Sequence, residues 1–190
     1  KLATFTTTVE IPTVSFEQHM DLDNLYFPEK DILLRQIEIA LKGGKHIILT
    51  GPPGTGKSKL AKEICRVYEV DYKMVTATSD WSTYETIGGY KPNKDGTLSF
   101  QPGIFLDCFK NRTTHFPINK WLIIDEMNRA DIDKAFGSLF SALTGDEITL
   151  HFLAESGNNI VIKSQEDVNI QVNDYEYVIP RDWRLIGTMN

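Results

Sequence analysis

The chain has 190 residues, of which 41% are hydrophobic and 24% charged, and its formal net charge at pH 7 is -6. This length allows one α/β domain with a proper core, and the acidic balance argues against a generally basic, nucleic-acid-binding surface. No apolar run reaches the roughly 20 residues of a membrane span, and the first residues lack the pattern of a signal peptide. Cys65 and Cys108 lie in apolar segments, which favours reduced core thiols in a cytoplasmic protein.

The first part of the chain predicts a linker followed by alternating helices and strands. Residues 1–27 are expected to form a linker with one short strand around Thr6–Ile11. Pro28 opens a helical pattern that ends at the Gly43-Gly44 pair. Short β-branched and apolar runs then alternate with an amphipathic stretch, which predicts strands over His46–Thr50 and Tyr72–Thr76 around a helix from about Lys57 to Tyr68.

The second part adds hairpins to this alternation. Gly, Pro, Thr and Asp between Ser79 and Pro102 predict a loop and a hairpin that turns at Asp95-Gly96. The following patterns predict a helix starting over Ile104–Lys110, a strand over Trp121–Asp125, one amphipathic helix from Ile132 to Leu143, hairpins over 147–180 and a last buried strand over Arg184–Thr188. Together they predict an α/β domain over 28–190, with a mainly parallel sheet, helices on both faces, and hairpin insertions at about 88–103 and 147–180.

A glycine-rich segment between the first strand and the second helix predicts a phosphate-binding loop. It fits the pattern G-x-x-x-x-G-K-[ST] in full, as Gly51, Pro52, Pro53, Gly54, Thr55, Gly56, Lys57 and Ser58. Glycines let successive N–H groups point inward, and the helix N-terminus adds partial positive charge. We expect Lys57 to reach the β- and γ-phosphates and Ser58 to offer its hydroxyl to Mg²⁺.

Polar residues end two of the predicted buried strands. Asp125 and Glu126 follow an apolar strand, where paired carboxylates are costly to desolvate unless they are used. Downstream of a phosphate loop, Asp125 is predicted to hold Mg²⁺, and Glu126 to polarise the attacking water. Asn190 ends the last strand, where its amide is predicted to help orient that water.

These motifs together resemble the AAA+ ATPases, in the branch that contains the MoxR chaperones, the McrB restriction translocase and the dynein-related domains. The resemblance rests on GPPGTGKS, on DEMNRA from Asp125 to Ala130, on GTMN ending at Asn190, on GTLSFQPGIF from Gly96 to Phe105, and on the run Gly89-Tyr90-Lys91-Pro92. It implies a three-layer αβα fold with the sheet order 5-1-4-3-2, a hexameric ring, and contacts across subunit boundaries. Arg129 is a candidate for one such contact, against the alternative of a surface arginine at a helix start.

Two departures from the family pattern qualify these expectations. The family continues past the asparagine with an arginine finger, a fifth strand and a helical lid, so this 190-residue chain is expected to be weakly active or inactive alone. The segment 147–180 is longer than the family minimum. Its acidic groups predict a solvated face or, alternatively, a specialised insertion that binds a partner.

The leading functional hypothesis is an ATP-hydrolysing motor or remodelling module that acts on a protein or a nucleic acid. GTP is the alternative nucleotide, because the McrB relatives use it and no base-reading residue is identifiable. A nucleotide-dependent scaffold without turnover is a second hypothesis, which the presence of Glu126 disfavours. A nucleotide kinase is a third, weakened by the lack of an arginine-rich lid.

Overall fold

A computed structural model describes residues 3–5, 27–137, 139–165 and 170–190. The strand predicted around Thr6–Ile11 and most of the predicted linker lie outside the described residues. The chain divides into two compact units, which we call the sheet unit (Val9–Thr78, Lys120–Arg129 and Asp182–Asn190) and the hairpin unit (Lys1–Thr8, Ser79–Asn119 and Ala130–Arg181). The insertions predicted at about 88–103 and 147–180 fall in the hairpin unit, while the predicted domain boundaries themselves stay predictions.

Strands and helices alternate through the first half of the chain, and short strands dominate the second. The strands are β1 (Ala3–Phe5), β2 (Ile47–Thr50), β3 (Tyr72–Thr76), β4 (Gly88–Pro92), β5 (Leu98–Pro102), β6 (Trp121–Asp125), β7 (Ile148–Leu153), β8 (Asn159–Ser164), β9 (Ile170–Val172), β10 (Glu176–Ile179) and β11 (Leu185–Met189). The α-helices are α1 (Lys30–Lys42), α2 (Lys57–Val67), α3 (Thr83–Thr86), α4 (Ile132–Phe136) and α5 (Leu139–Leu143). None of the helices in the described ranges has the length and apolar character needed to cross a bilayer.

The sheet unit is built on four parallel strands in the order β2-β11-β6-β3. Four residues of β6, from Trp121 to Ile124, are completely buried, as expected for a parallel strand covered on both faces. Helix α2 packs its buried face, which includes Leu60 and Ile64, against this sheet. Numbered by their order in the sheet unit, these strands run 1-4-3-2. The α/β class and this part of the predicted order are therefore confirmed.

The start of β11 is held by buried hydrogen bonds within the sheet unit. The indole Nε1 of Trp183 donates to the Lys120 carbonyl at 2.6 Å, and the Arg184 guanidinium donates to the carbonyls of Trp183 and Leu41. The Leu185 N–H donates to Nδ1 of His46 at 3.1 Å. Burial lowers the pKa of His46 to about 4, with the charge of Arg184 adding to the effect, so this nitrogen stays available as an acceptor at neutral pH.

The hairpin predicted around Asp95-Gly96 is confirmed as β4 and β5. These strands pair antiparallel from Gly88 opposite Pro102 to Pro92 opposite Leu98. Side chains within the turn stabilise it: Asp95 Oδ1 accepts from the N–H and the hydroxyl of Thr97. Phe100 and Tyr90 both contact the ring of Phe152 in the same unit, so the hairpin has an apolar underside.

The hairpins predicted over 147–180 are confirmed for β7 and β8, but not for the later strands of the segment. β7 and β8 do form an antiparallel hairpin, but β10 pairs with β8 in parallel, and β9 pairs antiparallel with β1. A parallel pair needs a connection longer than a hairpin turn, and β8 and β10 are accordingly not joined by one. Alternating apolar residues identify a strand, but they do not identify its partner or its direction.

Two predicted helices also differ from the structure. The single helix expected from Ile132 to Leu143 is two short ones, because α4 ends at Phe136 and Gly137 has φ 46° and ψ −121°, outside the helical region. The helix expected over Ile104–Lys110 is a single 3-10 turn at Leu106–Cys108. Lys110 instead forms a β-bridge with Pro117. A helical pattern of apolar residues therefore did not suffice to predict a continuous helix in either place.

A close backbone contact explains one glycine of the hairpin unit. Gly103 donates its N–H to the Ile87 carbonyl at 2.7 Å, and a Cβ on Gly103 would lie 2.5 Å from the carbonyl oxygens of Glu85 and Thr86. Backbone cannot move aside as a flexible side chain can. Only glycine therefore allows this approach.

We expect Gly103→Ala to lower the free energy of unfolding by about 2–3 kcal/mol, because the added methyl group displaces the backbone of Glu85 and Thr86. Gly96→Ala is the control. Gly96 has φ +84°, and a methyl group added there would meet no atom within 4 Å, so that change adds only left-handed strain of about 1 kcal/mol. Urea denaturation of both variants measures the difference. An equal loss in the two variants would contradict the close-contact explanation.

Candidate functional site

The segment from Gly51 to Gly56 connects β2 to α2 in a curled loop at the carboxyl end of the sheet. Gly51, Gly54 and Gly56 have φ values of 154°, 78° and 85°, which side chains with a Cβ rarely adopt. The Gly51 N–H donates to the Met189 carbonyl at 3.3 Å, so the start of the loop is fixed to the end of β11. The Thr55 hydroxyl donates to the Pro52 carbonyl at 2.9 Å and closes the loop on itself.

Lys57 lies at the centre of this loop, although it is the first residue of α2. Its side chain is 9% exposed, and Nζ donates to the carbonyls of Gly51 and Pro52 at 2.7 and 2.8 Å. A third bond, of 2.9 Å, reaches Oδ1 of Asn190, which is 133 residues away in the chain. The ammonium group is thus held among oxygen atoms at the mouth of the loop.

Asp125 ends β6 beside the start of α2 and the end of β11. Its Oδ1 accepts the hydroxyl protons of Ser58 at 2.6 Å and of Thr188 at 2.5 Å. These two bonds connect the end of β6 to α2 and to β11. The structure therefore brings Ser58 and Asp125 together as the sequence predicted.

Glu126 follows β6 with an unusual backbone conformation. Its φ is 54°, in the left-handed region that few residues other than glycine adopt. Its Oε2 forms an ion pair with Nε of Arg129 at 2.9 Å, in which the Glu126 side chain is 29% exposed and that of Arg129 60%. The predicted contact of Arg129 with another subunit stays a prediction, and within this chain its partner is Glu126.

Asn190 is bound at both its backbone and its side chain. Its N–H donates to Oδ1 of Asn128 at 3.3 Å, and its own Oδ1 accepts from Lys57. Neither Asn128 nor Thr188 was predicted from the sequence to have a role in the site. The signal for Thr188 was available, because alternation along β11 places it on the same side as Asn190, and a buried hydroxyl group must find a partner.

The oxygen atoms of Ser58 and Asp125 fit a magnesium ion. Mg²⁺ prefers oxygen ligands and is commonly held by one or two protein groups together with substrate phosphates and water. Among the described residues, no group of three or more His, Cys, Asp or Glu side chains is arranged to hold a metal by itself. Any metal bound here would therefore depend on the phosphates for part of its coordination.

Known proteins resemble this chain over most of its length. It is 30% identical over 178 residues to the type IV methyl-directed restriction enzyme EcoKMcrB subunit of Escherichia coli K12, covering 89% of this chain and 35% of that protein. It is 26% identical over 164 residues to a mitochondrial Lon protease homologue of Scheffersomyces stipitis, covering 83% of this chain and 14% of that one. The chain therefore spans about a third or less of the length of these relatives.

A solved structure also matches, with a TM-score of 0.47 and 17% identity over 85% of this chain and 38% of the other. It is described as a candidate ATPase from Cytophaga hutchinsonii. A family model, that of the AAA domain of the dynein-related subfamily, matches residues 46–190, more than half of the chain. This range contains the loop from Gly51 to Gly56, both acids and Asn190, and the chain accordingly belongs to the dynein-related subfamily of AAA domains.

Proposed function

We propose that this chain binds ATP with Mg²⁺ as the nucleotide-binding module of a motor or remodelling ATPase, and that it hydrolyses ATP as part of the complete protein. The observation that carries the proposal is the meeting of Lys57, Ser58, Asp125 and Asn190 at one end of the sheet. Their mutual hydrogen bonds of 2.6–2.9 Å join three distant parts of the chain. Packing alone does not require a lysine, a carboxylate and an amide in partly buried contact.

The phosphates of the nucleotide are expected to bind in the loop from Gly51 to Gly56. N–H groups at the start of α2 and the partial positive charge of the helix end favour anions there. The Lys57 ammonium already faces carbonyl and amide oxygens at this place, and phosphate oxygens are stronger acceptors because they carry charge. Lys57 would therefore exchange a neutral partner for the β- and γ-phosphates without moving far.

Ser58 and Asp125 would hold Mg²⁺ beside these phosphates. Mg²⁺ held by these two residues would supply positive charge beside the phosphates. The protein contributes by keeping the Ser58 hydroxyl and the Asp125 carboxylate 2.6 Å apart before the ligand binds. Such preorganisation lowers the cost of ordering the site when the nucleotide enters.

Hydrolysis would use Glu126 and Asn190 on the attacking water. In this proposal the Glu126 carboxylate takes the proton of the water molecule, and the Asn190 amide orients it. The ion pair with Arg129 holds Glu126 to its own subunit. For Glu126 to act as the base, this ion pair has to loosen or open. A contact of Arg129 with a neighbouring subunit would give the arginine another partner.

We further propose that the complete protein assembles into a hexameric ring and acts on a protein or a nucleic acid in the cytoplasm. The family match supports the ring. The Escherichia coli relative is a subunit of a methyl-directed restriction enzyme, which supports nucleic acid as one substrate class. Cys65 and Cys108 are both buried and form no disulfide with each other, which supports a reducing compartment such as the cytoplasm. Burial raises the pKa of the Cys65 thiol to about 12, so this thiol stays protonated.

Lys57→Ala is expected to weaken Mg·ATP binding by at least about 100-fold and to leave the fold intact, because the side chain serves a ligand more than the core. Lys59→Ala is the matched control, since Lys59 is an exposed lysine of the same helix. Titration with a fluorescent ATP analogue measures the affinity of both variants. Unchanged affinity in a folded Lys57→Ala protein would rule out the phosphate-loop assignment.

Glu126→Gln is expected to retain ATP binding and to lower hydrolysis by about 10²–10⁴, the usual contribution of a general base. The amide keeps the size of the side chain and loses the basic oxygen. Phosphate release should be measured in the full-length protein at saturating ATP, with the affinity determined in parallel. Turnover close to that of the wild type would assign the water activation to another group.

A competition assay with unlabelled nucleotides distinguishes ATP from GTP, the alternative nucleotide. We expect unlabelled ATP to displace the fluorescent analogue at lower concentration than GTP does, with a difference of about tenfold or more if an adenine-specific contact exists. Inorganic triphosphate serves as the control for binding through phosphates alone. Preferential displacement by GTP would contradict the ATP assignment and leave the phosphate site itself unaffected.

A further inference from the structure

The two strands that carry the candidate catalytic residues separate just before those residues. β11 pairs with β2 up to Met189 opposite Thr50, but its pairing with β6 ends at Gly187 opposite Ile124. On the other side of β6, the Asp125 carbonyl accepts the N–H of Ala77 at 2.8 Å, beyond the end of β3. Asp125 therefore has backbone support towards β3. Towards β11, Asp125 and Glu126 are linked by a side chain instead of by strand pairing.

Thr188 provides that link with its side chain. The residue is 1% exposed, and its Oγ1 lies 3.0 Å from the backbone nitrogen of Glu126 and 2.5 Å from Oδ1 of Asp125. An N–H group can only donate, so the hydroxyl accepts from Glu126. Its single proton must then go to the Asp125 carboxylate. The direction of both hydrogen bonds is fixed by chemistry, and bonds arranged in such a chain polarise and strengthen one another.

The backbone of Glu126 depends on this acceptor. A left-handed conformation is unfavourable for a residue with a side chain, and it persists only where the surroundings hold it. Here the Thr188 hydroxyl holds the N–H, and the Arg129 N–H holds the Glu126 carbonyl at 2.9 Å. Because φ determines the direction in which Cβ leaves the backbone, these bonds set where the Glu126 carboxylate points.

The residue before Thr188 supports the same arrangement. A Cβ on Gly187 would overlap Sδ of Met127, so Met127 packs directly on the backbone of β11. This close approach brings the turn after Glu126 down onto the strand that carries Thr188. Within the segment from Gly187 to Asn190, glycine thus permits the contact and threonine supplies the hydrogen bonds.

We propose that Thr188 is a positioning residue that orients both acids of the site, Asp125 through its carboxylate and Glu126 through its backbone. The inference deepens the proposed function and rests on it for the catalytic consequence. A hydroxyl group is the feature required, since it alone among side chains of this size accepts from one group while donating to another. Valine has the same shape and lacks both capacities.

The test compares Thr188→Val with Thr188→Ser in the full-length protein, with Thr149→Val as the control at an exposed threonine of β7. For Thr188→Val we expect kcat for ATP hydrolysis to fall by on the order of 10², because small displacements of catalytic groups have effects of that size. KM should stay within about threefold, since the hydrogen bonds of Lys57, the proposed phosphate ligand, go to Gly51, Pro52 and Asn190. Thr188→Ser should restore most of kcat, and Thr149→Val should match the wild type.

Hydrogen exchange gives a readout that does not depend on activity. The Glu126 amide is expected to exchange about tenfold faster in Thr188→Val than in the wild type or in Thr188→Ser, because its acceptor is lost. The Ile124 amide, within the paired part of β6, serves as the internal reference. If Thr188→Val does not fold, Thr188→Ala replaces it in the same comparison with Thr188→Ser.

Three results would overturn the inference: an unchanged kcat in Thr188→Val, a loss in Thr188→Ser equal to that in Thr188→Val, or unchanged protection of the Glu126 amide. A wild-type protein that releases no phosphate from ATP would instead contradict the proposed function. In that case the exchange of the Glu126 amide decides the positioning role alone. The failure of the proposed function and the failure of the inference are therefore distinguishable.

Discussion

The insertion of β11 between β2 and β6 is the constraint on which the candidate site depends. β2 precedes the phosphate loop, β6 ends in the two acids, and β11 comes last in the chain and pairs in parallel with both. Parallel strands present their carboxyl ends at the same edge of a sheet, so this single arrangement brings Lys57, Asp125 and Asn190 together. Without β11, the loop and the acids would have no strand between them.

At this edge of the sheet, the Asp125 carboxylate lies at the end of a buried strand, and hydroxyl groups provide its hydrogen bonds. β6 is fully buried up to Ile124, and an ionised carboxylate at its end would be costly to desolvate without partners. Ser58 and Thr188 direct their protons to Asp125, and the two elements that carry them are α2 and β11. The carboxylate is thus stabilised by neutral donors, which leaves its negative charge available to a cation. A lysine or arginine in their place would neutralise that charge.

The hairpin unit differs from the sheet unit in the size of its sheets and in its core. Its strands are short, its sheets have two or three strands, and aromatic contacts such as those of Phe105 with Phe109 and Phe136 fill its core. Lys110 is buried there, with Nζ donating to the Asp174 carbonyl and lying 4.3 Å from the centre of the Tyr177 ring. Burial lowers its pKa to about 8, against the attraction of Asp174 and Glu176. The contacts of Lys110 with the Asp174 carbonyl and the Tyr177 ring stabilise its charge inside the unit.

Local features of the sequence determined the α/β class, and they predicted the phosphate loop and most of the candidate site residues. The spacing of the glycines, an apolar run followed by two acids, and an apolar run followed by an amide are visible without coordinates, because each reflects a short-range requirement of backbone geometry or solvation. The tertiary structure alone decided the parallel pairing of β10 with β8, the division of the predicted helix at Gly137, the ion pair of Glu126 with Arg129, and the two bonds of Thr188. The helix break and the ion pair depend on local backbone conformations, at Gly137 and at the turn after β6, that the pattern of residues does not reveal. The strand pairing and the bonds of Thr188 join groups far apart in the chain, and alternation along a chain records which face a residue occupies but not which neighbour it meets.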